Sequence, residues 1–337
     1  MMDRCSGILA PLSWVYGAAV ARRNRRFDSG VGVEQLSVPV ISIGNIAVGG
    51  TGKSPVCRAV VEMLRASGGK PAIAMRGYAP GKDGNSDEAM EYVEALGDVP
   101  LAIGVDRVEA LKRLASTMPY DCVVLDDGFQ HRRIARDLDV VIVDASRPRL
   151  EERLLPAGRL REPVEALKRA DVVLVSRAAA VDSALAKRIE ACGGPTPLAW
   201  LEHVWGEELD VHWGNRPSDT ISKDALDGAS IAVSLGVGNP ESICETITAS
   251  GARIVYNNGA RDHQPYTEAR IRRLFAQAHA HGAQAIFVTP KDWMKLRDLK
   301  ALFDEDLPVW VPRLELRFLD GEAAFKERIL RAATLLA

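Results

Sequence analysis

Short apolar runs that alternate with helical patterns predict an α/β fold with a mainly parallel sheet, laid out in two blocks. Three observations carry that expectation. The runs are rich in Val, Ile and Leu without polar alternation, as strands buried on both faces are. Segments of helical periodicity separate one run from the next. The first run leads into a glycine-rich turn that opens a helix, the arrangement that binds phosphate.

In chain order, residues 38–44 read as a strand and 53–66 as a helix. A strand at 71–75 and a helix at 88–96 follow. Strands at 101–104 and 122–126 flank a helix at 107–116. Further buried strands fall at 140–144 and 172–176, and a helical stretch at 181–192. The texture then changes. Residues 197–205 and 208–213 alternate more and read as paired connector strands separated by a short turn. A second α/β block has strands at 230–235, 254–257, 285–289 and 309–313, with helices at 240–250, 267–281 and 291–303. The division this gives is an N-terminal helix over 1–30, a core domain over 31–205, linker strands over 206–228 and a smaller C-terminal α/β domain over 229–337.

Composition narrows the function classes. The 337 residues are 47% hydrophobic and 26% charged, which excludes wholesale disorder. Lys+Arg 43 against Asp+Glu 45 leaves a formal charge of −2, which gives no support for a general nucleic-acid binder. No 18-residue window is unbroken apolar, which argues against a polytopic membrane protein. Five scattered cysteines without a CxxC pair read as reduced thiols, and six histidines without an HExxH motif make a protein-liganded transition metal an unpromising reading.

Residues 8–21 (ILAPLSWVYGAAVA) are mostly apolar and precede Arg22, Arg23, Arg25 and Arg26. As a helix they would span about 21 Å, short of the roughly 30 Å of a bilayer core. One reading is an interfacial helix with Trp14 and Tyr16 at headgroup depth and arginines near anionic lipid. The other is a terminal helix packed on its own domain. The interfacial reading expects removal of residues 1–26 to weaken liposome association and to leave nucleotide affinity nearly intact.

The most informative segment is 41–54, ISIGNIAVGGTGKS. Gly49, Gly50 and Gly52 let the backbone turn its N–H groups inward, and the following helix start suits a polyphosphate. Ala47, Val48, Gly49, Gly50, Thr51, Gly52, Lys53 and Ser54 would line the nucleotide. Lys53 would reach the β/γ-phosphates and Ser54 would hold Mg²⁺. The loop is a variant, with Ala47 where the usual phosphate-loop pattern has its first glycine. Residues 122–127 (CVVLDD) end an apolar strand in Asp126 and Asp127, either of which suits the metal side of such a site. DDGFQHRR (126–133) packs acids, an amide, an imidazole and guanidiniums at a strand end, where α/β proteins bind ligands. Ser86-Asp87-Glu88 opens a helix, and its plainest reading is capping.

Together these segments resemble the tetraacyldisaccharide 4′-kinase (lipid A 4′-kinase) family of Gram-negative bacteria. The words that carry the resemblance are VISIGNIAVGGTGKSP (40–55), RGY (76–78), DE (87–88), DR (106–107), DDGFQHRR (126–133), DLDVVIVDA (137–145), LPAGRLREP (155–163), DH (262–263) and KD (291–292). The resemblance implies transfer of the ATP γ-phosphate to the 4′-hydroxyl of a tetraacyldisaccharide 1-phosphate, giving lipid IVA. It implies a P-loop NTPase-like core, a smaller α/β domain on a two-stranded linker and an active site between them. It also implies ATP and Mg²⁺, a peripheral place on the cytoplasmic face of the inner membrane, and no obligate protein partner. By motif, Lys53 and Ser54 match the nucleotide lysine and metal hydroxyl, and Asp126 and Asp127 the metal-side acids. Asp87 matches the catalytic base and His263 its imidazole partner. Arg107 and Glu88 match positions tied to phosphate and site organisation, and Gln130 and His131 the family signature.

Two other classes compete. A P-loop GTPase switch should carry an [NT]KxD motif, but residues 289–292 (TPKD) have the wrong spacing. A nucleotide-binding membrane scaffold would bind nucleotide and transfer nothing.

Overall fold

A computed structural model describes residues 3–49, 51–77, 87–214, 216–237, 240–259 and 266–336; at 3–8, 87 and 88 it describes the backbone alone. The chain divides into two compact units, Met1–His203 with Leu316–Ala337, and Val204–Glu315.

The first unit opens with helix α1 (Asp3–Asp28). Then come β1 (Val40–Gly44), α2 (Lys53–Ala66), β2 (Pro71–Met75), α3 (Asp87–Leu96), β3 (Leu101–Ile103), α4 (Arg107–Ala115), β4 (Cys122–Asp126), β5 (Leu138–Asp144), β6 (Val172–Ser176) and α5 (Ser183–Ala191). The next strand, β7 (Ala199–His212), begins here and ends in the second unit. The second unit holds β8 (Asp219–Ser222), β9 (Ser230–Val233), α6 (Pro240–Ala249), β10 (Arg253–Asn257), α7 (Glu268–Ala280), β11 (Ala285–Phe287) and α8 (Pro290–Leu296). Strand β12 (Val309–Asp320) starts there and returns to the first unit, which α9 (Glu322–Ala332) completes.

In the first unit the strands run β7-β6-β5-β1-β4-β2-β3, parallel throughout. Strands β1, β2, β4, β5 and β6 are buried at every position, which is why they read as unbroken apolar runs. Helix α2 buries Val56, Cys57, Val60, Val61 and Leu64 in the same core as Ile41, Val124 and Ile142. In the second unit β10-β9-β11-β12 are parallel, and β8 is antiparallel to β7. Leu226, Ile231, Ile247 and Phe287 centre the core of this unit.

Three differences from the sequence reading have physical causes. The two connector strands expected at 197–205 and 208–213 are one strand, β7. Gly206 reads as a turn residue but lies inside the strand, where a β-carbon would strike the side chain of Glu315. Strand β12 runs seven residues past the expected 313. Helix α9 was not expected and packs on α2, with Phe325 and Ile329 fully buried in the first unit's core. The last stretch of the chain thus belongs to the first unit, and the expected C-terminal domain over 229–337 is corrected to end at Glu315.

Candidate active site

Strand β1 delivers the chain to Gly44 at the carboxyl edge of the sheet. A β-carbon there would lie 2.5 Å from Cβ of Phe129, so the turn after β4 crosses directly over the end of β1. The loop that follows is pinned on several sides. Inside it, the Asn45 amide donates to Thr51 Oγ1 at 2.8 Å. From outside, Gln130 Nε2 donates to the Asn45 carbonyl (2.8 Å) and Ser176 Oγ to the Thr51 carbonyl (2.8 Å). Gly49 and Gly52 sit at φ 117° and 82°, a region that disfavours side chains.

Gly52 is the N-cap of α2 and supplies no side-chain cap, and the helix has no acid in its first turn. Helices α4, α5, α7 and α8 are each capped by an Asp or Thr side chain. The start of α2 therefore keeps its N–H groups and dipole for an anion.

Two carboxylates face that helix start. Asp126 ends β4, and Asp127 stands at φ 52° in the turn. Burial pushes the Asp126 carboxyl up; Lys53 opposes this and Asp127 adds to it. Burial also acts on Asp127, but Lys53 and Arg161 outweigh it and hold that carboxyl below the usual range. Lys53 Nζ lies 3.5 Å from Asp127 Oδ1, and Arg161 Nη1 lies 2.6 Å from Oδ2. Arg161 also donates to Gln130 Oε1 at 3.3 Å.

Beside this group His131 Nδ1 sits 3.4 Å from Arg107 Nη1 at the buried start of α4. Burial and then Arg107, Arg136 and Arg133 lower the His131 imidazole to about 4, so it is neutral at pH 7. On the other side of the loop His203 lies against Gly52: a β-carbon there would sit 2.5 Å from His203 Cε1. Burial, then Arg177, takes His203 to about 4 as well.

A hard divalent cation fits this donor set. Asp127 Oδ1 is buried without a hydrogen-bond partner, the adjacent Asp126 carboxyl is pushed up, and Ser54 is the second residue of α2. Among the described residues no cluster of three or more His, Cys, Asp or Glu could enclose a metal, so a cation here would share its shell with phosphate or water oxygens.

The sequence matches the tetraacyldisaccharide-1-P 4′-kinase family over residues 5–334. The chain belongs to this family. Similar proteins include the tetraacyldisaccharide 4′-kinases of Chlorobaculum parvum (32% identical, over 96% of this chain and 94% of the relative) and of Geobacter metallireducens (34%, over 88% and 90%). That of Jannaschia sp. is 36% identical over 86% of each chain. A crystal structure of LpxK from Aquifex aeolicus, an "apo" form in complex with ATP, shares the fold with a TM-score of 0.71. It is 24% identical and covers 98% of this chain and 99% of its own. The fold is thus α/β with a P-loop-like core, as the sequence predicts, and the protein is a kinase of lipid A biosynthesis.

Of the residues that family motifs single out, the structure gathers Lys53, Asp126, Asp127 and Gln130 about one loop, with His131 and Arg107 as a neighbouring pair. Asp87 and Glu88 are the first two residues of α3. Their side chains, Gly50 and His263 lie outside the described residues. Arg161, Asn45, Ser176 and His203 were not assigned from sequence. Arg161 stands inside the LPAGRLREP word, which was the one available signal.

Proposed function

We propose that loop 47–54 holds the triphosphate of ATP and that the enzyme passes its γ-phosphate to the 4′-hydroxyl of tetraacyldisaccharide 1-phosphate, giving lipid IVA. The observation that carries the residue assignment is the convergence of Lys53 and Arg161 on Asp127 beside an uncapped helix start. Because Asp127 has two cationic partners, Lys53 can turn to the phosphates while Arg161 keeps the carboxylate paired. The α2 N–H groups and Lys53 then balance charge that builds on the transferred group. Magnesium, when bound, supplies further positive charge to the phosphate oxygens, and Ser54, Asp126 and Asp127 are the residues that would hold it.

A sugar hydroxyl must lose its proton as the new P–O bond forms and ADP leaves. Asp87 is the base in this reading, and His263 matches the family's imidazole partner. Neutral His131 places no positive charge against the Arg107 guanidinium 3.4 Å away, and in this reading Arg107 acts on phosphate charge.

The same reading sets α1 on the cytoplasmic face of the inner membrane as a peripheral anchor. Leu12, Trp14 and Val15 are 56%, 82% and 69% exposed, and arginines follow them. No helix among the described residues is long and apolar enough to cross a membrane. A γ-labelled ATP assay with the disaccharide 1-phosphate tests the reaction. Label on the 4′-oxygen is expected; label released only as inorganic phosphate would instead favour a nucleotide switch.

A further inference from the structure

Helix α1 and the nucleotide loop both bond to the same short segment. That segment, residues 154–162, is a strap braced on itself: Leu155 N–H donates to the Leu160 carbonyl (2.9 Å) and Gly158 N–H to the Leu154 carbonyl (3.0 Å). On the α1 side, Ser13 Oγ donates to the Leu154 carbonyl at 2.9 Å and accepts from Ala157 N–H at 3.0 Å. The Tyr16 hydroxyl donates to the Arg161 carbonyl at 2.9 Å. On the loop side, Arg161 N–H donates to the Ile46 carbonyl and Val48 N–H to the Arg159 carbonyl, both at 2.8 Å. Ala47 and Leu160 form an antiparallel bridge between them. The Arg161 side chain ends on Asp127.

A second line of contacts runs beside the first. Glu162 is fully buried, accepts from Asn24 Nδ2 of α1 at 2.8 Å, and pairs with Arg169 at 2.8 Å. The Arg169 guanidinium lies 4.5 Å from the ring centroid of Phe129, the residue that crosses the end of β1 at Gly44.

The geometry points to α1 as a positioning element for ATP: its docked pose fixes the strap, and the strap fixes both the 46–48 backbone and the Arg161 guanidinium. Ser13 and Tyr16 act through the strap. This reverses the expectation that loss of residues 1–26 spares nucleotide affinity. It also couples the two faces of α1, so that whatever holds the helix in its docked pose tightens ATP binding, and ATP in turn favours that pose. The inference rests on the reading that loop 47–54 holds the nucleotide.

The test uses the full chain with Tyr16→Phe, Ser13→Ala and the pair together. The Kd of a fluorescent ATP analogue, KM for ATP, kcat in detergent micelles and Tm are measured side by side. The double variant is expected to bind the analogue roughly three- to tenfold more weakly, the scale of one or two lost hydrogen bonds. KM for ATP should rise in step, with kcat at saturation nearly unchanged. Ser13→Thr, which keeps the hydroxyl, should restore affinity. If the double variant fails to fold, Tyr16→Phe decides alone, since it removes a single oxygen. Unchanged analogue affinity in Tyr16→Phe and Ser13→Ala would overturn the inference. Lys53→Ala separates the two readings: if it too leaves affinity unchanged, the loop assignment itself fails.

Discussion

Both units present the carboxyl ends of parallel strands, and each buries an aspartate there, yet the two ends are finished differently. In the first unit Asp126 and Asp127 lie side by side, with two cations on one of them. In the second unit Asp292 is fully buried and its Oδ2 accepts from Thr289 Oγ1 (2.7 Å) and Gly236 N–H (3.0 Å). Thr289 in turn caps α8 by accepting from Asp292 N–H. Nearby, Ser234 bonds both Tyr266 and Asn258. At Asp292 one carboxylate oxygen is thus served by local hydrogen bonds, while the other, buried without one, faces Lys295 Nζ at 3.8 Å. The first unit's end carries two adjacent carboxylates and two cations beside a helix start that no side chain caps. The same sheet geometry therefore does not make a site; what sets the first unit apart is a pair of adjacent carboxylates beside a helix start that no side chain caps, where α8 is capped by Thr289.

Substitutions that separate activity from stability sharpen this contrast. Lys53→Ala should lower kcat/KM by about 10³-fold or more, the scale of removing preorganised charge at transferring phosphate. Tm should move little, because Arg161 still pairs Asp127. A parallel fall in Tm would mean that Lys53 is structural. Asp87→Ala should cost about 10²-fold in kcat, as expected for a general base. Circular dichroism should show its melting unchanged, and turnover near the parent's would remove Asp87 from that role.

Asp292→Ala should behave in the opposite way. It strands Thr289, the Gly236 N–H and Lys295 in a buried setting, at a cost of about 3 kcal/mol by chemical denaturation. ATP affinity of the folded fraction should stay at the parent level. A stable Asp292→Ala protein with poor ATP binding would erase the distinction drawn between the two strand ends.

A pH dependence is shared by both units. His131, His203 and His212 are each lowered from 6.5 to about 4, burial being the first cause in every case. Between those values the unfolded chain binds more protons than the folded one. Stability should therefore be full above about pH 6.5 and decline as pH falls toward about 4. Tm measured across that range should fall more gently in His131→Gln, which cannot take up the proton.

Much of the first unit was legible because burial on both faces leaves unmistakable apolar runs: α2, β2, β4 and β6 begin and end where the sequence placed them. The nucleotide loop was legible because GKS after a strand has one obvious chemistry. Arg161 was not, because its place depends on Leu160 pairing with Ala47, more than a hundred residues away. Strand β7 was misread because Gly206 serves a close approach by Glu315 and no turn. Helix α9 was missed because a short amphipathic helix after a long strand gains its meaning from α2, which it covers.

That last contact has a consequence for how the enzyme is made. The helix that opens at Lys53 is backed by Phe325 and Ile329, which leave the ribosome long after the loop they support. A nascent chain that has emerged as far as His203 already carries the GKS word but leaves the back of α2 bare. Translation must run through the whole inserted second unit before the core around α2 closes, so competence to handle ATP arrives late in synthesis.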